Sequence, residues 1–207
     1  MQPVFFDVVF PVVGGILPID HSYHLFCGLG RHLPPEFHTA TGPWSGLGVH
    51  PINGRYEKGS TQLQITDKSQ LSIRANADVV NVLMQLLSCK AVQLDNNGII
   101  LGWPNLYPLA PCHTLYSRIV TIAKYTDPVE FKKSAEKMLA LNDIAGELKL
   151  TERDGQVISR TRQIKDSMVR GFPVAISKLS PLDSFKLQVI GLGGRRHFGC
   201  GLFLPAK

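Results

Sequence analysis

The feature that most constrains how this chain can fold is an order of strands and helices that runs through it twice. Val4 to Val13 is a Val- and Phe-rich run ending at Gly14-Gly15, the pattern of a buried strand. Pro18 and Asp20 then open a helix, with Asp20 suited to cap its free amides, and Pro34-Pro35 close it. On a helical wheel Leu25, Phe26, Leu29 and Leu33 share one face, while His24 and Arg31 fall opposite, flanked by His21 and His32. Strand-like stretches follow at Trp44 to Ile52, Gln62 to Ile65 and Gln70 to Arg74. Asn76 or Asp78 opens a second helix reaching about Cys89, and a hairpin turns at Asn96-Asn97-Gly98.

The second half follows the same order. Leu115 to Tyr125 reads as a strand, and Asp127-Pro128 caps a helix that reaches about Leu141. Leu148 to Leu150 and Val157 to Ile164 read as strands, with Arg153-Asp154-Gly155 turning between them. Phe172 to Ile176 is a further strand, Pro181 to about Gln188 a helix, and His197 to Phe203 the last strand. Two β-α-β-β-α-β units of roughly 100 residues each are the ferredoxin-like pattern used in tandem. The expected fold is therefore α+β with two ferredoxin-like domains, residues 1–107 and 112–207. The seam falls at Tyr107 to Pro111, where Pro108, Ala110 and Pro111 interrupt both patterns.

Composition narrows the function classes. Lys and Arg outnumber Asp and Glu by 22 to 16 in 207 residues, and a formal +6 favours an anionic partner, nucleic acid first. The four cysteines, Cys27, Cys89, Cys112 and Cys200, form no C-x-x-C pair, which fits a reduced cytosolic compartment. A zinc site needs ligand pairs at short spacing, and only Cys112-His113 comes near, so no metal or cofactor is expected. No apolar stretch reaches the roughly 20 residues that span a bilayer. A soluble, cytoplasmic protein without membrane attachment is the expectation.

The most specific motif lies near the C-terminus: Gly191-Leu192-Gly193, five residues, then Gly199-Cys200-Gly201. Glycines at this density let a backbone pass close to another chain, and Arg195, Arg196 and His197 add charge that suits a phosphate backbone. It is not a Walker loop, because no Gly-Lys-Ser or Gly-Lys-Thr is present. Nor is it a dinucleotide fingerprint, because no helix and acidic residue follow it. An ordinary glycine-rich turn before a final strand is the alternative.

This loop resembles the signature of the RAMP proteins, and within that superfamily the chain resembles the CRISPR repeat-processing endoribonucleases. The likeness extends to Asp20-His21-Ser22-Tyr23-His24-Leu25, to Phe37-His38, and to the run Gly46-Leu47-Gly48-Val49-His50-Pro51-Ile52-Asn53-Gly54. The resemblance implies metal-independent cleavage at the foot of a CRISPR repeat hairpin to give guide RNAs for antiviral defense. The 2′-hydroxyl attacks the adjacent phosphate and leaves a 2′,3′-cyclic phosphate and a 5′-hydroxyl. Such chemistry needs a base, an acid and positive charge on the phosphorane; histidine fits the first two roles and Arg or Lys the third.

In the family a histidine shortly after the first helix is often catalytic, and His38 holds that place. His50 is a second candidate, or a half-buried strand residue. His24 lies on the polar face of the first helix with His21 beside it, and a solvated face is the alternative for both. Tyr23 lies on the helix where the family often carries a tyrosine. No lysine has a clear claim, so Arg31 is the candidate for charge. The resemblance places RNA binding largely in the second domain, on Arg160, Arg162, Lys165 and Arg170 and on the loop of Gly191, Gly193, Arg195, Arg196, Gly199 and Gly201. A solvated strand edge is the alternative for the arginine-rich stretch. An effector complex is the further partner implied. Two rival readings are a non-cleaving RAMP-type RNA-binding subunit and a ferredoxin-like enzyme acting on a small molecule.

Overall fold

A computed structural model describes residues 4–38, 44 and 46–206, with the side chain of His38 outside the described set. The fold is α+β, and the chain divides into two compact units, Met1–Pro108 and Leu109–Lys207. No helix among the described residues is long and apolar enough to cross a membrane.

The first unit runs β1 (Phe5–Gly14), β2 (Ile16–Pro18), α1 (Ser22–Gly30), a 3-10 turn (Pro35–His38), β3 (Gly48–Val49) and β4 (Gln62–Gln64). It continues with β5 (Gln70–Asn76), α2 (Ala77–Leu87), β6 (Ala91–Leu94), β7 (Asn97–Leu101) and β8 (Asn105–Pro108). Its antiparallel sheet is ordered β3-β5-β1-β7-β6, with β8 also on β1. Alternation along β1 turns Val8, Phe10 and Val12 inward, where they meet Leu71 and Ile73 of β5 beneath Leu25 and Leu29 of α1 and Leu83 of α2. On the other face, Arg74 of β5 is fully buried and pairs bidentately with Asp7 of β1, with Nε–Oδ1 and Nη2–Oδ2 both 2.8 Å.

The second unit runs β9 (Leu115–Val120), α3 (Pro128–Leu141), β10 (Glu147–Leu150), β11 (Glu152–Arg153) and β12 (Gln156–Val157). Then come β13 (Arg160–Ile164), β14 (Ser167–Ser177), α4 (Pro181–Ile190), a 3-10 turn (Arg196–Phe198) and β15 (Leu204–Pro205). Its sheet is ordered β10-β14-β9-β15, and β13 pairs with the first half of β14. Phe131 of α3 packs on Phe172 of β14 with ring centroids 4.7 Å apart, at the centre of a core that includes Leu115, Val174, Ile176 and Leu187.

Local chemistry explains most element boundaries. Asn76, Asp127 and Ser180 cap α2, α3 and α4 by accepting first-turn amides. Asp154 and Gly155 take φ of 53° and 74° to close the β11–β12 hairpin, as a two-residue turn requires.

Five expectations need correction. The N-cap of α1 is His21 rather than Asp20, and its side chain makes no capping bond because it is engaged elsewhere. The helix ends at Gly30, ahead of Pro34, where Arg31 and His32 donate to Gly28 and Leu29 in a tightened last turn. Of the strand expected over Trp44 to Ile52, the described residues show only Gly48–Val49, because Gly46 before it is at φ 79° and Pro51 after it supplies no amide to the ladder. The β6–β7 hairpin turns at Asp95-Asn96, one residue early, which keeps Leu94 and Ile99 on the buried face. The last strand is only Leu204–Pro205, because Arg195, Gly199 and Gly201 at positive φ bend the chain out of extension.

Candidate functional site

In the first unit the candidates gather on α1. The helix buries Ser22, Leu25, Gly28 and Leu29, leaving Tyr23, His24 and Cys27 half-exposed on the opposite face with Arg31 exposed at its C-cap. Tyr23 and His24 meet edge to face, with ring centroids 5.7 Å apart. The 3-10 turn is held to this helix by Phe37, which is fully buried, stacks on Phe26 at 5.1 Å and meets Trp44 edge-on at 5.9 Å. His38 is the next residue, so the backbone that carries it is fixed beside α1 while its side chain lies outside the described residues.

His50 is placed differently. Its amide continues the β3–β5 ladder onto the Ser72 carbonyl at 2.9 Å, and Val49 before it is core. Alternation therefore turns half-buried His50 to the sheet face that carries Ser72 and Arg74, away from the helix layer. The unit thus brings Tyr23, His24 and Arg31 onto one helix face and sets His50 on the other side of the sheet.

His21 departs furthest from expectation, because the ring placed beside a solvated face is 1% exposed. Its Nδ1 lies 2.9 Å from the Pro18 carbonyl and its Nε2 accepts the Ile52 amide at 3.0 Å. A backbone N–H can only donate, so Nε2 is unprotonated and Nδ1 carries the proton. Both nitrogens are committed to the fold. Nothing in the sequence signals a bond across 31 residues, except that a histidine occupies a position where Asp, Ser or Thr is the usual cap.

In the second unit the hairpin β13–β14 extends beyond the sheet and has two unlike faces. Arg160 and Arg162 do share a face, but it is the covered one: Arg162 is 7% exposed and Arg160 half-buried. The open face carries Thr161 opposite Arg170 and Gln163 opposite Met168, all exposed. Arg170 lies over the Phe172 ring at 5.8 Å, and exposed Lys165 sits at the tip with φ 52°. The structure therefore offers Lys165 and Arg170 to solvent and withdraws Arg162.

The glycine loop is also turned inward. The amides of Leu192, Gly194, Phe198, Gly199, Cys200 and Gly201 all donate to carbonyls of the same unit, including Thr121 at 3.0 Å and Ile119 at 2.8 Å past the end of β9 and on it. These amides are not available to cradle a phosphate. Gly193 and Gly201 have φ of 75° and 67°, and a Cβ on either would collide with a backbone oxygen, of Thr121 and Leu192 respectively. Arg196 is half-buried and its Nη1 donates to the Val189 carbonyl in the last turn of α4, a helix-end contact the sequence reading missed. Arg195 alone of the two arginines is exposed, held at φ 66°.

Charge divides along the same line. Residues 1–108 carry six Lys and Arg against seven Asp and Glu, whereas residues 109–207 carry sixteen against nine. Among the described residues no three His, Cys, Asp or Glu side chains converge as metal ligands would. All four cysteines are free thiols.

The chain is similar to several known proteins. A CRISPR-associated endonuclease Cas6 from Myxococcus xanthus is 34% identical over 202 residues, covering 98% of this chain and 82% of the relative. A solved structure of a CRISPR-associated protein Cas6 has the same fold at a TM-score of 0.66 and 11% identity, with both chains covered in full. A Cas6-related protein from Pyrococcus furiosus matches at a TM-score of 0.64 and 13% identity over 98% of each chain. A family model described as Cas6 Crispr matches residues 6–207, from the second residue of β1 to the C-terminus, and the chain belongs to that family.

Proposed function

We propose that the protein is an endoribonuclease that cuts the CRISPR repeat hairpin by metal-independent attack of a 2′-hydroxyl, releasing guide RNAs. The observation that carries this reading is the 34% identity over almost the whole chain to a CRISPR-associated endonuclease. The strand orders β3-β5-β1-β7 and β10-β14-β9-β15 place second, third, first and fourth major strands alike, and they support two tandem ferredoxin-like domains. Domains 1–107 and 112–207 are then the catalytic and the RNA-gripping halves.

In this reading His38 exchanges protons with the reacting oxygens, with His24 and Tyr23 on the adjacent helix face as the further acid–base candidates. Arg31 supplies charge to the pentacoordinate phosphorus. The 2′ oxygen bonds to phosphorus, the bond to the 5′ oxygen breaks, and a proton goes to that leaving oxygen. A 2′,3′-cyclic phosphate and a 5′-hydroxyl result. His50 is the weaker candidate, because it faces away from the helix layer. Lys165, Arg170 and Arg195 are the exposed cations that would grip the phosphate backbone in the cytoplasm, before the RNA passes to an effector complex.

The test is repeat RNA incubated with the protein in EDTA, with the ends analysed. The expected result is one cut, a cyclic phosphate and loss of cutting when the nucleotide at the cut is 2′-deoxy. Tight binding without cutting would instead make the protein a non-cleaving RNA-binding subunit.

A further inference from the structure

We infer that His21 is a positioning residue for the chemistry of the first unit, an inference that rests on the endonuclease reading. The segment between α1 and β3 carries His38 and leads to His50. Upstream it is fixed to α1 by Phe37 stacking on Phe26 at 5.1 Å. Past β3, Ile52, 3% exposed, donates its amide to His21 Nε2 at 3.0 Å, and Nδ1–H holds the Pro18 carbonyl at 2.9 Å. His21 is also the N-cap residue of α1, immediately before Ser22 and two positions before Tyr23. One ring therefore joins the strand end before the helix, the helix carrying Tyr23 and His24, and the chain two residues after His50.

The geometry has a chemical consequence. A buried amide left without an acceptor is costly, so Ile52 holds the ring in its Nδ1–H form. The ring cannot also serve as a free general base. Its effect on cleavage is exerted through the placement of others, and a displacement of about 1 Å at a reacting group can cost on the order of a hundredfold in rate.

Two substitutions separate the bonds. His21→Gln can put an amide oxygen near the Nε2 position and keep the Ile52 bond. His21→Asn can keep a donor toward Pro18 but is too short to reach Ile52. Single-turnover cleavage, affinity for a 2′-deoxy repeat RNA that cannot be cut, and thermal melting are measured for both. We expect Asn to slow cleavage by on the order of tenfold or more, with affinity within about threefold of wild type and Gln restoring most of the rate. Imidazole nitrogen NMR of the wild type should show one Nδ1–H tautomer at His21. Equal slowing in Asn and Gln, or wild-type cleavage by Asn, overturns the positioning role while leaving the endonuclease reading intact. A wild-type protein that leaves repeat RNA whole overturns both.

Discussion

The two units share an order of strands and differ in almost everything they present to a ligand. The first holds five of the seven histidines and has one more acidic than basic residue; the second has seven more basic than acidic residues and two histidines. Proton transfer and a grip on a phosphate backbone make opposite demands. A general base works best with a pKa near the operating pH, and a dense cationic field would disfavour its protonated form. A backbone grip needs that cationic field, because affinity grows with the number of phosphates neutralised. Two compact units in one chain allow the demands to be met separately.

If that division holds, the largest effect belongs to His38→Ala. Single-turnover cleavage should fall by roughly a hundredfold or more, the usual scale for losing an acid–base group. Affinity for uncleavable repeat RNA should stay within about threefold. Cleavage at the wild-type rate would move the role to His24 or His50, and a parallel loss of affinity would blur the division itself.

The glycine loop gives the next largest effect, on stability. Gly201→Ala forces a Cβ against the Leu192 carbonyl at a residue with φ 67°. About 2 kcal/mol or more of destabilisation is expected, a drop of roughly 8 °C or more in calorimetric melting. An unchanged melting temperature with weakened RNA binding would return the loop to the phosphate-binding role that its inward amides argue against.

How legible was this in the sequence? Helices α2 and α3 announced themselves through Asn76 and Asp127, because a cap is a local bond between near neighbours, and α4 through Pro181 at its start. The glycine motif was equally visible, but its purpose was not. Whether Gly201 serves a ligand or its own fold depends on Leu192 and Ile119, and the second lies 82 positions away. His21 failed for the same reason, since the helical wheel sees its neighbours on α1 and cannot see Ile52. Arg160 and Arg162 stand two apart on a strand and so share a face, but period-two alternation cannot say which face is covered. Asp7 and Arg74 met through strand register alone.

The hairpin tests the grip directly, at an intermediate scale. Replacing Lys165 and Arg170 together with Ala should lower affinity by about tenfold and reduce the log–log salt slope by roughly two units. The cleavage rate at saturating RNA should hold. Arg162→Ala should act on melting temperature instead, because its side chain is on the covered face. A large slope change from Arg162 with no change in melting would mean the hairpin opens that face to RNA.

The smallest effect concerns the field of the second unit acting on its own carboxylates. Glu147, exposed at the start of β10, has its carboxyl held below its ordinary value of 4.5. The hydrogen bond from Lys178 is the main cause, and the charges of Lys178 and Lys149 add to it. A depressed folded-state pKa stabilises the fold above the unfolded value, and that contribution is lost as pH falls through the folded value. Glu147→Gln should therefore lower melting at pH 7 by on the order of a degree, because exposed pairs are weak and screened. The difference from wild type should shrink below pH 4.5 and also at about 1 M salt, because exposed ion pairs are weakened by salt. A difference that persists in acid and in salt would mean that Glu147 acts through packing, and the basic surplus of the second unit would then be directed at RNA alone.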